Sequence, residues 1–147
     1  MPDPDTGLRS RCPINYALEI FGDRWTLLLL RDLILLGKER YRELLASEEG
    51  IATNILADRP KRLETSGIVT RERDPEDGRQ FIYRATEKGL GLTPVLLEIG
   101  AWAATHDQRT GAPAGFAESF YADRKAYYAN HRELIAELIK RSQDAGE

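Results

Sequence analysis

The chain has one cysteine, Cys12, in 147 residues, so no internal disulfide framework can form. Its two histidines, His106 and His131, lie far apart and lack ligand spacing, so a zinc cluster is not expected. Basic charge is not in excess: 21 Lys and Arg stand against 24 Asp and Glu, net −3. That balance excludes a protein that coats polyanions through its total charge, and any nucleic-acid surface must come from local placement. The longest apolar run, 25–36, is interrupted by Arg31-Asp32 and is shorter than the roughly 20 residues a membrane span needs. The opening Met1-Pro2-Asp3-Pro4-Asp5 carries acid where a secretory signal carries Lys or Arg and an apolar stretch. A soluble, cytoplasmic protein with no membrane partner is expected. There is also no glycine-rich phosphate loop, no nucleophile elbow, no His-Glu-x-x-His and no Cys–His pair. Neither an enzyme nor a cofactor is expected, and paired acids such as Glu48-Glu49 fall in a turn, where solvation is their default role.

What is present is one domain's worth of chain with an appended helix. Residues 1–11 are polar, contain two prolines and lack apolar periodicity, which reads as a flexible tail. A first helix is expected from Cys12-Pro13 to about Phe21, with Gly22 as its stop and Asp23 as the next cap. The segment 24–36 is apolar on nearly every side and belongs at the centre of a small domain. The stretches 40–47 and 51–66 then read as two helices joined by Glu48-Glu49-Gly50, a helix-turn-helix. Two β-rich runs, 68–73 and 79–85, flank a Pro/Asp/Gly turn and form a hairpin. Thr86 is expected to cap a helix running to about His106 and kinked at Pro94. A linker at 108–115 and a final helix at about 116–141 follow. The fold class is mainly α with a small β-hairpin (α+β): a winged helix-turn-helix over 12–107, with N- and C-terminal dimerisation helices. The remainder, 116–147, is a dimerisation or effector-pocket extension.

In such an arrangement the second helix, about 52–66, enters a major groove roughly 12 Å wide, and the wing, 68–85, reaches the flanking backbone or minor groove. Helical geometry turns Ile55, Leu56 and Leu63 inward and Asn54, Asp58, Lys61 and Thr65 outward, flanked by Thr53, Ala57 and Arg62. Asn54 can pair bidentately with adenine and Thr53 can meet a thymine methyl or a phosphate, whereas Lys61 and Arg62 suit phosphates. Asp58 suits a cytosine amino group or a helix cap. Between residues 24 and 88 there are 13 basic and 12 acidic side chains, so charge alone identifies nothing. Placement says more: Arg71, Arg73, Arg79 and Arg84 all fall on the hairpin.

The sequence over about residues 11–107 resembles the HxlR-type winged helix-turn-helix transcriptional regulators of bacteria. The resemblance rests on Cys12-Pro13, Gly22-Asp23-Arg24-Trp25-Thr26, Tyr41-Arg42-Glu43-Leu44, the stretch from Gly50 to Leu56, and Thr86-Glu87-Lys88-Gly89. It implies a homodimer that binds operator DNA near a promoter, with the terminal helices forming the dimer interface. Leu96, Ile99, Trp102, Phe120, Tyr121 and Tyr128 are the candidates for that interface. By position it implies DNA contacts at Thr53, Asn54, Lys61 and the wing residue Arg79, with backbone contacts from Arg40 or Arg42. Arg62 and Arg73 complete the candidate set. The family usually has leucine where this chain has Pro60. An interior proline removes a helix hydrogen bond, costs about 3 kcal/mol and sacrifices an inward contact. A kinked recognition helix is therefore expected, or one that restarts with Asp58 as its cap.

Cys12 sits at a helix N-terminus near Arg9 and Arg11, surroundings that favour a thiolate, and some members of the family sense oxidants or electrophiles at the corresponding place. The alternative is a small, partly buried residue packed against the dimer helix. Trp25 and Trp102 read as core residues. The C-terminal stripe Phe120, Tyr121, Tyr127, Tyr128, Leu134 and Leu138 packs against a partner helix or walls a pocket for a small-molecule effector of unknown identity. A winged-helix module that recruits a protein partner without touching DNA is the competing functional reading.

Overall fold

The structure is a computed structural model, and it describes residues 7–130. Expectations for residues 1–6 and 131–147, among them those for His131, Leu134 and Leu138, lie outside the described residues.

Helix α1, Pro13–Phe21, starts after Cys12 with a proline in its first turn, where a missing N–H costs nothing. It stops at Gly22, whose N–H bonds the Leu18 carbonyl at 2.7 Å. A Cβ on Gly22 would stand 2.3 Å from that carbonyl oxygen, so only glycine fits there. Asp23 caps α2, Arg24–Leu30: its carboxylate accepts from the Trp25 and Thr26 N–H groups at 3.0 Å and from Thr26 Oγ1 at 2.6 Å. The same helix continues into a π-helical turn, Arg31–Leu35, with Leu36 N donating to Arg31 O at 3.1 Å. Short helix α3, Tyr41–Leu45, and the longer α4, Thr53–Thr65, form the helix-turn-helix. Gly50 provides the left-handed residue (φ +69°) that the turn between them requires.

Strands β1, Val69–Arg73, and β2, Phe81–Ala85, pair antiparallel, with Arg71 opposite Tyr83 and Arg73 opposite Phe81. The outer edge of β2 is closed by the chain leading into α3: Tyr83 N donates to Glu39 O at 2.9 Å, and Arg40 bridges Ile82.

Apolar clusters explain how these pieces stay together. Leu29, Leu44, Ile51, Leu56 and Tyr83 join α2, α3, α4 and the wing in one cluster. Leu30, Ile34, Leu63, Ile68 and Val69 join the other side of α2 to the end of α4 and to β1. Helix α4 therefore spends Leu56, Pro60 and Leu63 on the core and leaves its opposite face outside.

Several expectations are corrected. Thr86 caps only a short α5, Glu87–Leu90, and α6, Thr93–His106, is a separate helix. Pro94 lies in the first turn of α6 and starts that helix instead of kinking a longer one. Helix α7, Phe116–Ala122, ends at Asp123, whose backbone is extended (φ −156°, ψ 92°). Asp123 Oδ1 accepts the Ala126 N–H at 3.0 Å, which caps a new helical stretch over 124–130. Pro60 neither splits α4 nor starts it afresh at Asp58, and its ring is itself buried, so the inward position is filled. Trp25 packs half-buried against the first cluster as expected, but Trp102 is 62% exposed. Among the described residues no helix is long and apolar enough to cross a membrane.

Candidate nucleic-acid interface

Helix α4 is held from three sides. At its N-terminal end, Arg31 of the π turn makes a bidentate pair with Glu49 in the α3–α4 turn, both contacts at 2.8 Å. That guanidinium holds the Glu49 carboxyl at about 2, below its ordinary 4.5. Arg31 also grips the buried Asp32 (2.7 Å), which accepts from Ser47 Oγ, while Lys38 Nζ donates to Ser47 at 2.8 Å. Arg31 and Asp32, the first two residues of the π turn, both reach the segment between α3 and α4. At mid-helix, Arg59 Nε reaches Asp23 Oδ1 at 3.2 Å and Arg59 Nη1 reaches Asp58 at 2.5 Å. Asp23 thus caps one helix and docks another. Beneath the helix lies the apolar contact of Leu56, Pro60 and Leu63.

The outward face then carries Thr53, Asn54, Ala57, Asp58, Lys61, Arg62 and Thr65, all exposed. Thr53, Asn54, Arg42 of α3 and Lys61 have no side-chain hydrogen bond or acidic partner among the described residues. Arg62 stands 3.9 Å from Asp58. Asp58 caps no break; its carboxylate is taken up by Arg59 and, more distantly, Arg62.

The four wing arginines divide into two kinds. Arg71 lies over the Phe81 ring at 4.4 Å and pairs with Glu64 of α4 at 3.5 Å, while Arg84 pairs with Glu72 at 3.2 Å. Arg73 also leans on Phe81 (5.4 Å), donates to Gly78 O at 2.5 Å and is exposed. Arg79 at the tip is 94% exposed, its only acidic contact being Asp77 at 3.4 Å among the described residues. Arg40 is elsewhere engaged: its Nε bonds the buried Asp74 at 2.9 Å. The guanidinium holds the Asp74 carboxyl below the usual carboxylate range.

The other candidates fall apart by burial. Cys12 is exposed in the single chain. Ile99 (47%) and Trp102 (62%) are exposed on α6, with the Trp102 ring 5.1 Å from His106. Tyr121 is 37% exposed. Leu96 is half-buried against the second cluster and Tyr128 is half-buried, its hydroxyl 3.5 Å from Leu90 O. Phe120, a candidate for the interface between subunits, is 1% exposed, packed with Leu97 and Ala101 inside its own chain. Sequence reasoning missed Asp23, Arg31, Asp32, Glu49 and Arg59 as holders of the helix. The signal available was Asp32, an acid in an otherwise apolar segment, which must be paired if buried.

An exposed polar helix face, braced against a hydrophobic triad and flanked by an arginine-tipped hairpin, is the frame that a family model for the HxlR-like helix-turn-helix matches over residues 20–110. The chain belongs to that family. It is 37% identical over 93 residues to YvaP, an uncharacterized HTH-type transcriptional regulator of Bacillus subtilis, covering 63% of this chain and 85% of that one. YodB, an HTH-type transcriptional regulator of the same organism, is 37% identical over 93 residues, covering 63% and 82%. Among solved structures, PA1607, a putative transcription factor, superposes with TM-score 0.60 at 34% identity, covering 72% of this chain and 70% of that one. YodB has been solved in reduced form (TM-score 0.52, 33% identity, 65% and 94% covered) and with bound quinone (TM-score 0.52, 33%, 64% and 99%). This HxlR-like chain is a transcriptional regulator with a helix-turn-helix fold.

Proposed function

We propose that the protein binds double-stranded operator DNA at promoters as a homodimer in the bacterial cytoplasm. Helix α4 lies in the major groove and the wing on the flanking backbone or minor groove. The observation that carries this reading is the outward face of α4: Thr53, Asn54 and Lys61 are exposed without acidic partners, and the wing tip presents Arg79 at 94% exposure. Asn54 reads a base edge, and Lys61, Arg62, Arg73, Arg79 and Arg42 contact phosphates. Pairing of subunits is supported by large apolar side chains left outside the single chain: Ile14 (70%) and Leu18 (53%) on α1, and Trp102 on α6. Residues 1–11 serve as a tail, 12–107 as the winged domain, 108–115 as a linker and 116–147 as its extension. Modulation through Cys12 by an electrophile is supported by the exposure of that thiol and by the quinone-bound form of YodB.

The test is a titration of a duplex, selected by the wild-type chain from a random library, across a series of salt concentrations. Lys61→Ala is expected to weaken binding on every sequence and to flatten the logarithmic salt dependence by about 0.9. Asn54→Ala is expected to relax preference at one base pair, by about 1–3 kcal/mol. Unchanged affinity and salt dependence in Lys61→Ala would remove the proposed face from the interface.

A further inference from the structure

The family resemblance implies a backbone contact from Arg40 or Arg42, and the surroundings of Arg40 assign it another task. Its side chain is 27% exposed, and three carboxylates surround it: Asp74 at 2.9 Å, Glu76 at 3.9 Å and Glu43 at 4.0 Å. The first of these is the informative one. Asp74 sits at the wing's turn, yet it is 5% exposed, while Pro75 and Glu76 beside it are outside. Asp74 Oδ1 accepts the Glu76 N–H at 2.9 Å, and its backbone N–H bonds Gln80 O at 2.9 Å, so it shapes the turn that aims Arg79. Arg40, for its part, is anchored at the head of α3: its N–H donates to Glu43 Oε1 at 3.1 Å and its backbone bridges Ile82 of β2. Swinging Arg40 out to a phosphate would strand a buried carboxylate without its cation, a strongly unfavourable exchange.

We propose that Arg40 and Asp74 form a clip that sets the angle of the wing against the helix-turn-helix, so that Arg40 is a positioning residue for DNA binding and not a contact to DNA. This rests on the DNA-binding reading above. The clip ties a residue at the start of α3 to one 34 positions later at the wing tip. It therefore fixes the relative placement of the two parts that must engage one duplex together.

Asp74→Asn separates the alternatives by sign. If Arg40 contacts phosphate, removing the acid that competes for it releases the guanidinium. Affinity for the selected duplex then rises and the salt dependence steepens. If Arg40 is half of a clip, Asp74→Asn weakens binding about tenfold, Arg40→Gln does the same, and the double variant is no worse than either single one. Tighter binding by Asp74→Asn, or additive losses in the double variant, overturns the clip. A second measurement needs no DNA: the rate of tryptic cleavage after Arg79 in the wing, relative to that after Arg109, which is 90% exposed in the loop beyond α6. Asp74→Asn is expected to raise that ratio several-fold, because loss of the clip frees the wing alone, and global unfolding would raise both rates together. An unchanged ratio also overturns the clip. Failure of the wild-type chain to select any duplex would instead count against the DNA-binding reading, with the cleavage ratio still deciding the clip.

Discussion

Replacing Pro60 by leucine perturbs helix α4 at the point where its chemistry and its packing disagree. Helix α4 runs unbroken from Thr53 to Thr65, although Pro60 has no N–H to give the Leu56 carbonyl. An interior proline costs about 3 kcal/mol relative to a good helix former. The helix tolerates it because Arg59, the residue just before, is tied to Asp23 at 3.2 Å and to Asp58 at 2.5 Å, and because the ring is buried beside Leu56 and Leu63. Leucine restores the hydrogen bond and relaxes the backbone. It also adds bulk to a filled site, and such overpacking costs about 1 kcal/mol at the low end of its range. The net expectation is a gain of about 2 kcal/mol. For a chain of this length that is a rise in Tm of about 7 °C, measured by circular dichroism at one fixed protein concentration. Affinity for a selected duplex should rise as well, since Thr53, Asn54 and Lys61 would then ride on a helix with every interior bond made. A Tm that stays level or falls would refute the reasoning, and would mean that the pocket under α4 is shaped to the proline ring.

Two further outcomes are expected. Phe120→Ala removes the largest fully buried side chain of the α6–α7 cluster and should cost about 3–5 kcal/mol, read by chemical denaturation; a cost under about 1 kcal/mol would mean that this cluster does not hold the C-terminal helices to the domain. The Glu49 carboxyl is held by Arg31 at about 2, below its unfolded 4.5, so its contribution is fully present above pH 4.5 and disappears as the pH falls toward 2. With 34% of the Glu49 side chain in solvent that contribution is about 1 kcal/mol or less, and the stability gap between wild type and Glu49→Gln should close over that acid window. A gap that holds constant from pH 6 to pH 3 would exclude the pair as its source.

Much of the frame was legible along the chain because it is written in local rules. Pro13, Gly22, Asp23 and Gly50 act within a few residues of themselves, so α1, the cap of α2 and the helix-turn-helix turn follow from their positions. The outward set on α4 follows from a period of 3.6 residues, and the wing from two β-rich runs around Asp74–Gly78. The errors have two causes, one local and one tertiary. Pro94 interrupts an apolar helical pattern along the chain, yet a turn at Gly91 and Leu92 ends one helix before it, so the proline falls where it is harmless. Phe120 and Trp102 look alike as apolar positions on helices, but one is covered by its own chain and the other is not.

The amino-acid order by itself determined most of the helices, turns and strands, and which face of α4 is polar, because those preferences arise between neighbours in the chain. It could not determine which cations are at liberty. Arg40 and Arg42 are two residues apart in the same short stretch, and only folding brings Asp74 to one of them and leaves the other unpaired among the described residues. A charge is committed or available according to what lies within a few ångströms in space, and residues 18, 34 and 36 positions away supply the acids that hold Arg31, Arg40 and Arg59.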